Sequence, residues 1–302
     1  MDTVDIRMER AMKRKIFVGG VPIGGDAPVS IQSMLNTKTT DVAGSLEQIK
    51  RLQTAGCQIV RLAVPDLDAA RGFAEIASAS PLPLVADIHF DYRLAIAAAE
   101  GGAAKIRINP GNIGGRDRVK AVVDVCREKQ IPIRIGVNGG SLEKEILQMY
   151  GHPTAEALVE SALGHVQLLE EQDFYDICIS MKSSSVPVTM AAYRLMDQKT
   201  DYPLHLGVTE TGTAHMGLVK SAMGIGGLLC LGIGNTLRVS LTADPVEEIA
   251  AAKEILQAAG IRREGPELIA CPTCGRTQID LIALAEEVER RLKDCGKPIT
   301  VA

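Results

Sequence analysis

The sequence predicts an α/β fold: a TIM (β/α)8 barrel followed by the beginning of a small C-terminal α+β unit. Two observations lead to this expectation. Short runs rich in β-branched residues recur eight times in residues 29–241, and segments with helical periodicity lie between them. Since strands that alternate with helices run parallel, eight such units match the barrel in number and in length.

Each predicted strand is short and largely apolar, with glycine, proline or polar residues at its flanks. The eight strands are VSIQSM from Val29, IVRLAV from Ile59, LVADIHF from Leu84, KIRINP from Lys105, PIRIGVN from Pro132, DICISMK from Asp176, PLHLGVTE from Pro203 and TLRVSL from Thr236. Between them, residues 45–55, 116–129 and 154–171 have a helical pattern. An open doubly wound sheet is the alternative, but no G-x-G-x-x-G follows the first strand and the count closes at eight.

Three segments divide the chain. Residues 1–28 contain a charged leader and KIFVGGVPIGG, which is typical of a hairpin that closes one end of the barrel. Residues 29–260 form the predicted barrel. From residue 261 the pattern changes to a Cys-x-x-Cys segment, a strongly helical stretch and a short strand. About 40 residues contain too little core to fold alone, so we expect this unit to pack on the barrel or on a partner subunit, or to continue in a longer chain.

Composition narrows the class of partner. The chain has 33 basic and 37 acidic residues and a formal net charge of -4, so no global field favours nucleic acid or an anionic membrane. Aromatic residues make up 3% with no tryptophan, which argues against base-stacking platforms. No apolar run reaches the roughly 18 residues of a membrane span, and seven scattered cysteines suit a reducing compartment. We therefore expect a cytoplasmic protein.

Five cations lie inside or at the end of the apolar strand runs. They are Arg61, Arg107, Arg134, Lys182 and Arg238. Barrel active sites form at the carboxyl ends of the strands, and a buried cation without a partner is costly. An anionic ligand would supply that partner, so the pattern indicates a phosphate or diphosphate site. Ion pairing with acids on the surrounding helices is the alternative for each arginine.

Other polar residues mark the same strand ends. They are Asp87, Asn109, Asn138, His205, Thr209, Glu210 and Ser240. Glu210 is the one glutamate at these strand ends, so it is a candidate proton donor or acceptor; the alternative is a salt bridge that holds Arg238 or Lys182. The glycines of PGNIGG and VNGGS allow backbone amides to meet an anion, although glycine at such turns more often reflects turn geometry.

Cys271 and Cys274 form a Cys-x-x-Cys turn whose two thiolates can face one metal. This spacing occurs in zinc ribbons and in iron–sulfur sites, and a pair supplies only half of either site. A thioredoxin-like redox role is the third option, but the motif does not open a helix that follows a strand. The remaining thiols of residues 57, 126, 178 and 230 lie in apolar settings typical of small core residues.

Several long phrases, taken in order, resemble the bacterial 4-hydroxy-3-methylbut-2-enyl diphosphate synthases, and the match runs nearly end to end. The phrases are VSIQSMLNTKTTDV, LVADIHFDYRLA, RINPGNIG, PIRIGVNGGSLEK, PLHLGVTETG, TLRVSLTADPVEEI and IACPTCGR. The resemblance implies an iron–sulfur oxidoreductase of isoprenoid biosynthesis, in the methylerythritol phosphate pathway, that acts on CH or CH2 groups. In that family the barrel binds 2-C-methyl-D-erythritol 2,4-cyclodiphosphate. A C-terminal 4Fe-4S domain receives two electrons, one at a time, from flavodoxin or ferredoxin, and the ring opens with loss of water.

The resemblance also assigns roles to residues. It implies that the diphosphate is bound by strand-end side chains already identified, namely Arg61, Asp87, Arg107, Asn109, Arg134, Asn138, Lys182, His205, Arg238 and Ser240. It makes Glu210 the catalytic glutamate at the barrel mouth. It makes Cys271 and Cys274 the first two cluster ligands, and it implies a homodimer in which the cluster domain of one subunit caps the barrel of its partner.

The family pattern is incomplete in this sequence. Family members carry a third cysteine and a glutamate in a C-V-V-N-G-P-G-E stretch, and the sequence stops at Val301-Ala302 just before it, while Cys295 lies too early. We expect a fragment that still binds substrate but does not turn it over. Two other readings stay open: a phosphate-binding barrel lyase or transferase akin to the pteroate synthases with a structural zinc, and a non-catalytic binding module.

Overall fold

The computed structural model describes residues 12–263, 265–292 and 295–302. Most of the predicted charged leader, residues 1–11, lies outside the described residues. The predicted hairpin is confirmed: β1 (Ile16–Val18) pairs antiparallel with β2 (Val21–Ile23). Its apolar side chains pack against Ile59, Val85 and Cys178, which point into the barrel. The hairpin therefore plugs one end of the barrel.

Eight parallel strands form one sheet, which confirms the predicted barrel. They are β3 (Ser30–Met34), β4 (Ile59–Ala63), β5 (Leu84–Asp87), β6 (Lys105–Ile108), β7 (Ile133–Asn138), β8 (Ile177–Lys182), β9 (His205–Leu206) and β10 (Thr236–Leu237). The order around the sheet is β8-β7-β6-β5-β4-β3-β10-β9. A parallel bridge between Ile179 and Leu204 joins its two edges. The sheet is thereby closed into a barrel.

Helices follow the strands and cover the outside of the barrel. They are α1 (Val42–Ala55), α2 (Leu67–Ala79), α3 (Tyr92–Glu100), α4 (Pro110–Ile113), α5 (Arg116–Lys129), α6 (Lys144–Tyr150), α7 (Ala155–Glu170), α8 (Val186–Lys199), α9 (Ala214–Ser221), α10 (Gly227–Cys230) and α11 (Pro245–Ala258). Side chains at the ends of the preceding loops cap several of them: Asp41, Asp66, Asp91, Thr154, Ser185 and Asp244 accept hydrogen bonds from first-turn amides. One continuous apolar core lies between these helices and the strands.

The C-terminal segment, residues 261–302, is a small βαβ unit. Its strands β11 (Glu267–Leu268) and β12 (Thr300–Val301) pair in parallel, and α12 (Leu281–Leu292) lies between them in sequence. None of its described residues is buried. The segment touches the last turn of α11, where the Gln257 side-chain amide donates to the Pro266 carbonyl at 3.1 Å. Within the described ranges, no helix combines the length and the apolar character that a membrane crossing requires.

Candidate functional site

The strand register brings the five predicted cations to one end of the barrel. Arg107 lies opposite Arg134 on the next strand, and Asp87 lies opposite Arg107 on the other side. Lys182 lies opposite Asn138. Because alternate residues of a strand share a face, the inward side chains of neighbouring strands converge at the carboxyl ends. We call this cluster the cationic rim; it consists of Arg61, Arg107, Arg134, Lys182 and Arg238.

A single carboxylate, that of Asp87, serves two of the rim arginines. Its Oδ1 accepts from Arg107 Nη1 at 3.0 Å, and its Oδ2 lies 3.6 Å from Arg61 Nε. His89 Nε2, on a half-exposed side chain, is 3.6 Å from the same oxygen. Burial acts to raise the pKa of Asp87, but Arg61, the His89 hydrogen bond and Arg107 together hold that pKa well below its usual value. Asp87 is therefore ionised.

Arg238 is neutralised by a residue that the sequence analysis did not identify. Its Nη2 lies 3.2 Å from Glu248 Oε1, on the first turn of α11. The buried Glu248 carboxylate also accepts from Ser33 Oγ at 3.0 Å and from the Leu241 amide at 3.2 Å. Arg238 therefore pairs with an acid on a surrounding helix, as one of the two interpretations of the strand arginines predicts. The salt bridge to Arg238 that was an alternative role for Glu210 is made by Glu248.

Arg134 and Lys182 have no carboxylate partner among the described residues. The Arg134 side chain is fully buried, and its Nε and Nη1 make no hydrogen bond within the described part of the chain. Burial and the neighbouring Arg107 lower the pKa of Arg134 to about 10. Burial, followed by the charges of Arg61, Arg238, Arg134 and Arg107, lowers the pKa of Lys182 well below its usual value. These two groups are the basic side chains of the rim that no carboxylate of a described residue pairs with.

Two glycines make room for the cations. A Cβ atom on Gly136 would lie 2.3 Å from Arg107 Nε, and a Cβ atom on Gly207 would lie 2.6 Å from Lys182 Nζ. The Arg107 guanidinium lies across β7 and donates to the Gly136 carbonyl at 3.2 Å. In the amide orientation that satisfies both groups, Asn138 accepts from Arg107 Nη2 at 3.3 Å. Any larger side chain at either glycine would displace a rim cation.

Arg61 and Arg238 meet at a thioether. Met34 Sδ accepts from Arg61 Nη2 at 2.8 Å and lies 3.6 Å from Arg238 Nη1. A thioether is a weak acceptor, so these donors remain available to a stronger one. Burial is the largest cause of a lowered Arg61 pKa; the Asp87 charge opposes it, and the nearby Arg238, Arg134 and Arg107 add to it. Three other rim arginines thus act electrostatically on Arg61.

Glu210 lines a cleft beside the rim. The cleft has a volume of about 450 Å³ and is lined by Asn138, Gly139, Gly140, Ser141, Pro153, Ser183, Ser184, Thr209 and Glu210. Glu210 is exposed and adopts a φ of +54°, a conformation that side chains with a Cβ rarely occupy. Its carboxylate makes no ion pair with any described residue. Backbone strain of this kind is concentrated at functional positions.

The other predicted binding residues lie at the same end in different settings. Asn109 is buried and caps α4, accepting from the Gly111 amide at 3.2 Å. The half-buried Ser240 accepts at its carbonyl from Thr211 Oγ1 at 2.6 Å. His205 is fully buried beneath the rim, and burial, then Arg134 and Lys182, lower its pKa well below the usual value. A neutral imidazole is the form that this environment favours.

The two predicted metal ligands lie apart from the rim, in the C-terminal segment. Cys271 and Cys274 are both exposed, and so is Cys230, for which the predicted core position is wrong. Hydrogen bonds from Arg276 and Thr277 lower the pKa of the Cys274 thiol, which favours the thiolate that binds metals. The described residues contain no group of three or more histidine, cysteine, aspartate or glutamate side chains arranged to hold a metal. The motif precedes α12 by several residues, which matches the expectation that it does not open a helix.

Sequence reasoning missed three inward residues as well as Glu248. Lys105 is fully buried two positions before Arg107 on the same face of β6. Gln32 is buried on β3, and Met34 bridges two arginines. The period-two alternation Lys105, Arg107, Asn109 was a signal for the first of these. Glu248 gave no signal, because its contact depends on how α11 packs over the rim.

Comparison with known proteins identifies the family. A family model described as the GcpE TIM-barrel domain matches residues 13–253. A second, the GcpE protein C-terminal domain, matches residues 267–302. A relative from Clostridium perfringens, named 4-hydroxy-3-methylbut-2-en-1-yl diphosphate synthase (flavodoxin), is 62% identical over 98% of this chain and 84% of its own length. A relative of the same name from Geobacter sulfurreducens is 59% identical over 97% and 83%, respectively.

Solved structures at low sequence identity share the barrel alone. A phospho-2-dehydro-3-deoxyheptonate aldolase from Thermotoga maritima superimposes with a TM-score of 0.58 at 12% identity, covering 83% of this chain and 75% of that one. A 7,8-dihydropteroate synthase from Vibrio fischeri gives 0.57 at 13%, covering 82% and 98%. These likenesses support the fold and carry no functional argument. By the extent of both family models and the identity of its relatives, the chain belongs to the GcpE family, in which these relatives bear the name 4-hydroxy-3-methylbut-2-en-1-yl diphosphate synthase (flavodoxin).

Proposed function

We propose that this chain, once its cluster has the ligands that the described residues do not supply, catalyses the reductive ring opening and dehydration of 2-C-methyl-D-erythritol 2,4-cyclodiphosphate to 4-hydroxy-3-methylbut-2-enyl diphosphate. The observation that carries the proposal is the cationic rim, in which Arg134 and Lys182 are buried without a carboxylate. Buried cations without partners are costly, and a cyclic diphosphate would supply the two missing negative charges. The names of the relatives give the reaction.

The rim residues would hold and orient the diphosphate. Arg134 offers the unpartnered donors Nε and Nη1, and a guanidinium binds phosphate oxygens in a forked geometry. Lys182 adds a point charge beside Gly207. Asp87 fixes Arg61 and Arg107 in place before the ligand arrives. In a buried site such fixed charges act more strongly than they would in water. Five other predicted residues lie at the same end of the barrel, and His205 lies beneath them. The five are Asn109, Asn138, Thr209, Arg238 and Ser240.

Glu210 would handle protons at the mouth. The net reaction takes up two electrons and two protons and releases one water, so a proton must reach a departing hydroxyl. Glu210 faces the cleft next to Thr209 and Asn138 and makes no ion pair with any described residue. A carboxylic acid positioned at the site of proton transfer is the usual device for this step. The unfavourable backbone conformation of Glu210 supports a functional role, because strained residues persist where a precise side-chain position is needed.

An iron–sulfur cluster is the proposed cofactor, with Cys271 and Cys274 as two of its ligands. The residues fit this role in chemistry, because both thiols are exposed and the pKa of Cys274 is lowered. They do not complete the ligand set of a 4Fe-4S cluster from the described residues. When bound, such a cluster supplies single electrons to the substrate; flavodoxin is the proposed donor, as in the relatives' name, and ferredoxin is the alternative.

The site is proposed to be completed across a homodimer. The helix α11 starts beside the rim and runs for 14 residues, about 21 Å, back towards the other end of the barrel. The C-terminal segment packs on its last turn through Gln257 and Pro266. This connectivity supports a cluster unit that reaches the rim of a partner subunit. We propose domains at residues 29–260 and 261–302 and, since all seven cysteines are free thiols, a cytoplasmic location.

Metal content and turnover test the proposal together. The chain is incubated with ferrous iron and sulfide under anaerobic conditions, and its iron, sulfide and zinc contents are measured with the absorbance near 400 nm. Bound iron and sulfide are expected in this chain. Turnover of the cyclic diphosphate by reduced flavodoxin is expected for a chain extended through the C-V-V-N-G-P-G-E stretch of the family. Cys271→Ser should abolish the absorbance, whereas Cys230→Ser, on an exposed thiol, should not. Zinc in place of iron would overturn the redox assignment and favour a lyase or transferase.

A further inference from the structure

Five polar side chains are buried inside the barrel beneath the cationic rim, and each, like Arg134 of the rim itself, has a polar atom without a hydrogen-bond partner among the described residues. They are Ser30, Gln32, Lys105, His205 and Thr236. Three of them form one row, because Thr236 lies opposite Ser30 on one side and His205 on the other. Buried polar atoms without partners are rare in proteins. Their concentration here means that the interior beneath the rim is polar.

Lys105 is the most isolated of these groups. Its side chain is fully buried, and its Nζ makes no hydrogen bond to any described residue. The charged and titratable groups that act on it are Cys178 of β8, Arg134 of β7 and Arg61 of β4. His205 of β9 is within its electrostatic range. Its partner in register on β5 is the apolar Val85. No carboxylate is among these neighbours.

The charge state of Lys105 follows from this environment. A fully buried ammonium that lacks both a carboxylate and a hydrogen-bond acceptor loses its hydration without compensation. Burial first, and the charges of Arg134 and Arg61 next, lower the pKa of Lys105 to about 7. The amine is therefore largely neutral above neutral pH while the rim holds no anion. A phosphate bound at Arg134 and Arg61 would offset the two positive charges that act with burial to lower the pKa of Lys105, so the pKa would rise.

We propose that Lys105 is a buried proton acceptor coupled to the rim: it stays neutral in the ligand-free protein and takes up one proton from solvent when a phosphate or diphosphate group binds above it. The proton moves from bulk buffer to Nζ, and no other bond changes. The inference rests on the proposed function only for the identity of the natural ligand. Its consequence is that ligand affinity falls as the pH rises above the free pKa of Lys105.

Proton uptake on anion binding tests the proposal. Sulfate is the first probe, because this strong-acid anion has no ionisation of its own near neutral pH; potassium chloride at equal ionic strength is the control. Uptake is followed with an indicator dye in weakly buffered solution at about pH 8 and about pH 6. The cyclic diphosphate is then titrated calorimetrically in two buffers of different ionisation enthalpy, which gives the protons taken up per ligand bound.

The wild-type chain should take up more protons per bound anion than Lys105→Met at about pH 8, with one proton as the upper limit, and the difference should vanish at about pH 6 because the amine is already protonated. Lys182 is present in both proteins, so the comparison changes only Lys105. Lys50→Met, on an exposed lysine of α1, should behave as wild type. Circular dichroism of Lys105→Met, and of Lys105→Gln as a second variant, checks that a smaller proton uptake is not caused by unfolding. Equal uptake by wild type and Lys105→Met would overturn the proposal.

A second outcome separates this inference from the proposed function. Proton uptake with sulfate but no binding of the cyclic diphosphate would leave Lys105 as assigned and contradict the reaction. Binding and turnover of the cyclic diphosphate without proton uptake would support the reaction and contradict the role of Lys105. The wild-type protein alone also decides the matter: no uptake with either anion at about pH 8 contradicts the proposal whatever the variants do.

Discussion

The cationic rim and the C-terminal segment would supply the two halves of the proposed chemistry, and they are built in opposite ways. The rim consists of side chains fixed by neighbours in a closed barrel, with Asp87 and Glu248 holding three of its five cations. The segment at residues 261–302 has no buried residue among those described, and its two thiols are exposed. The anion site is thus organised within one chain. The two thiols can be enclosed only by groups that lie outside the described residues.

The largest expected effect is the loss of the carboxylate that organises the rim. Asp87→Asn leaves Arg61 and Arg107 buried without a counter-charge, and breaking a buried pair in this way costs about 3 to 5 kcal/mol. Urea unfolding should show this loss in the free energy of unfolding near neutral pH. The matched control is Asp68→Asn, which breaks an exposed pair with Arg71 on α2 and should change stability by less than about 1 kcal/mol.

The pH dependence of the free energy of unfolding gives a second test with the variant Asp87→Asn. The pKa of Asp87 is held well below its usual value in the folded protein. Its contribution to stability is therefore fully present above the unfolded pKa of about 4 and is lost as the pH falls below that value. The stability difference between wild type and Asp87→Asn should be constant from about pH 8 to about pH 5 and should shrink in stronger acid. A difference that is unchanged in acid would contradict the depressed pKa.

Truncation of one leucine in each region sharpens the contrast in packing. Leu52 of α1 is fully buried in the barrel core, and Leu52→Ala should cost about 3 kcal/mol. Leu284 of α12 is 49% exposed, and Leu284→Ala should change stability by no more than about 0.5 kcal/mol. Both are measured by urea unfolding of the same chain. A large loss for Leu284→Ala would mean that the segment is buried in solution, for example against a second copy.

The smallest expected effect concerns the strained backbone of Glu210. Glu210→Gly removes the Cβ atom that disfavours a φ of +54°, so we expect the free energy of unfolding to rise by up to about 1 kcal/mol. Glu210→Ala removes the same carboxylate but keeps the Cβ atom, so it should give no such gain. Both variants should lose the proton-transfer function. Equal stability of the two variants would show that the conformation stores no strain.

The sequence predicted the frame of the fold because its cues are local. All eight strands and the hairpin were found from short β-branched runs, and helices were found from their periodicity. The last two strands are shorter than predicted: β9 and β10 pair over two residues each, whereas the apolar runs extend to Glu210 and Leu241. The remainder of each run turns away from the sheet into the loops that carry Thr209, Glu210 and Ser240.

The candidate site was predicted in part. The five cations could be found because a charge inside an apolar strand is conspicuous and the barrel fixes where strand ends meet. The partner of Arg238 could not, since Glu248 reaches the rim only through the packing of α11. The apolar run that begins at Lys105 predicts only the start of a strand there, although Lys105 shares a face of that strand with Arg107. Sequence spacing shows which face a residue occupies but does not show how deeply the side chain is buried.

The central claim is that the uncompensated rim cations bind a cyclic diphosphate. Calorimetric titration of 2-C-methyl-D-erythritol 2,4-cyclodiphosphate into wild type, Arg134→Met and Arg194→Met tests it most directly. Wild type and Arg194→Met, which changes an exposed arginine of α8, should bind equally. Arg134→Met should remain folded and bind about 100-fold more weakly, since lost hydrogen bonds to a charged group correspond to about 2 to 3 kcal/mol. No binding to wild type, or equal binding to Arg134→Met, would contradict the account.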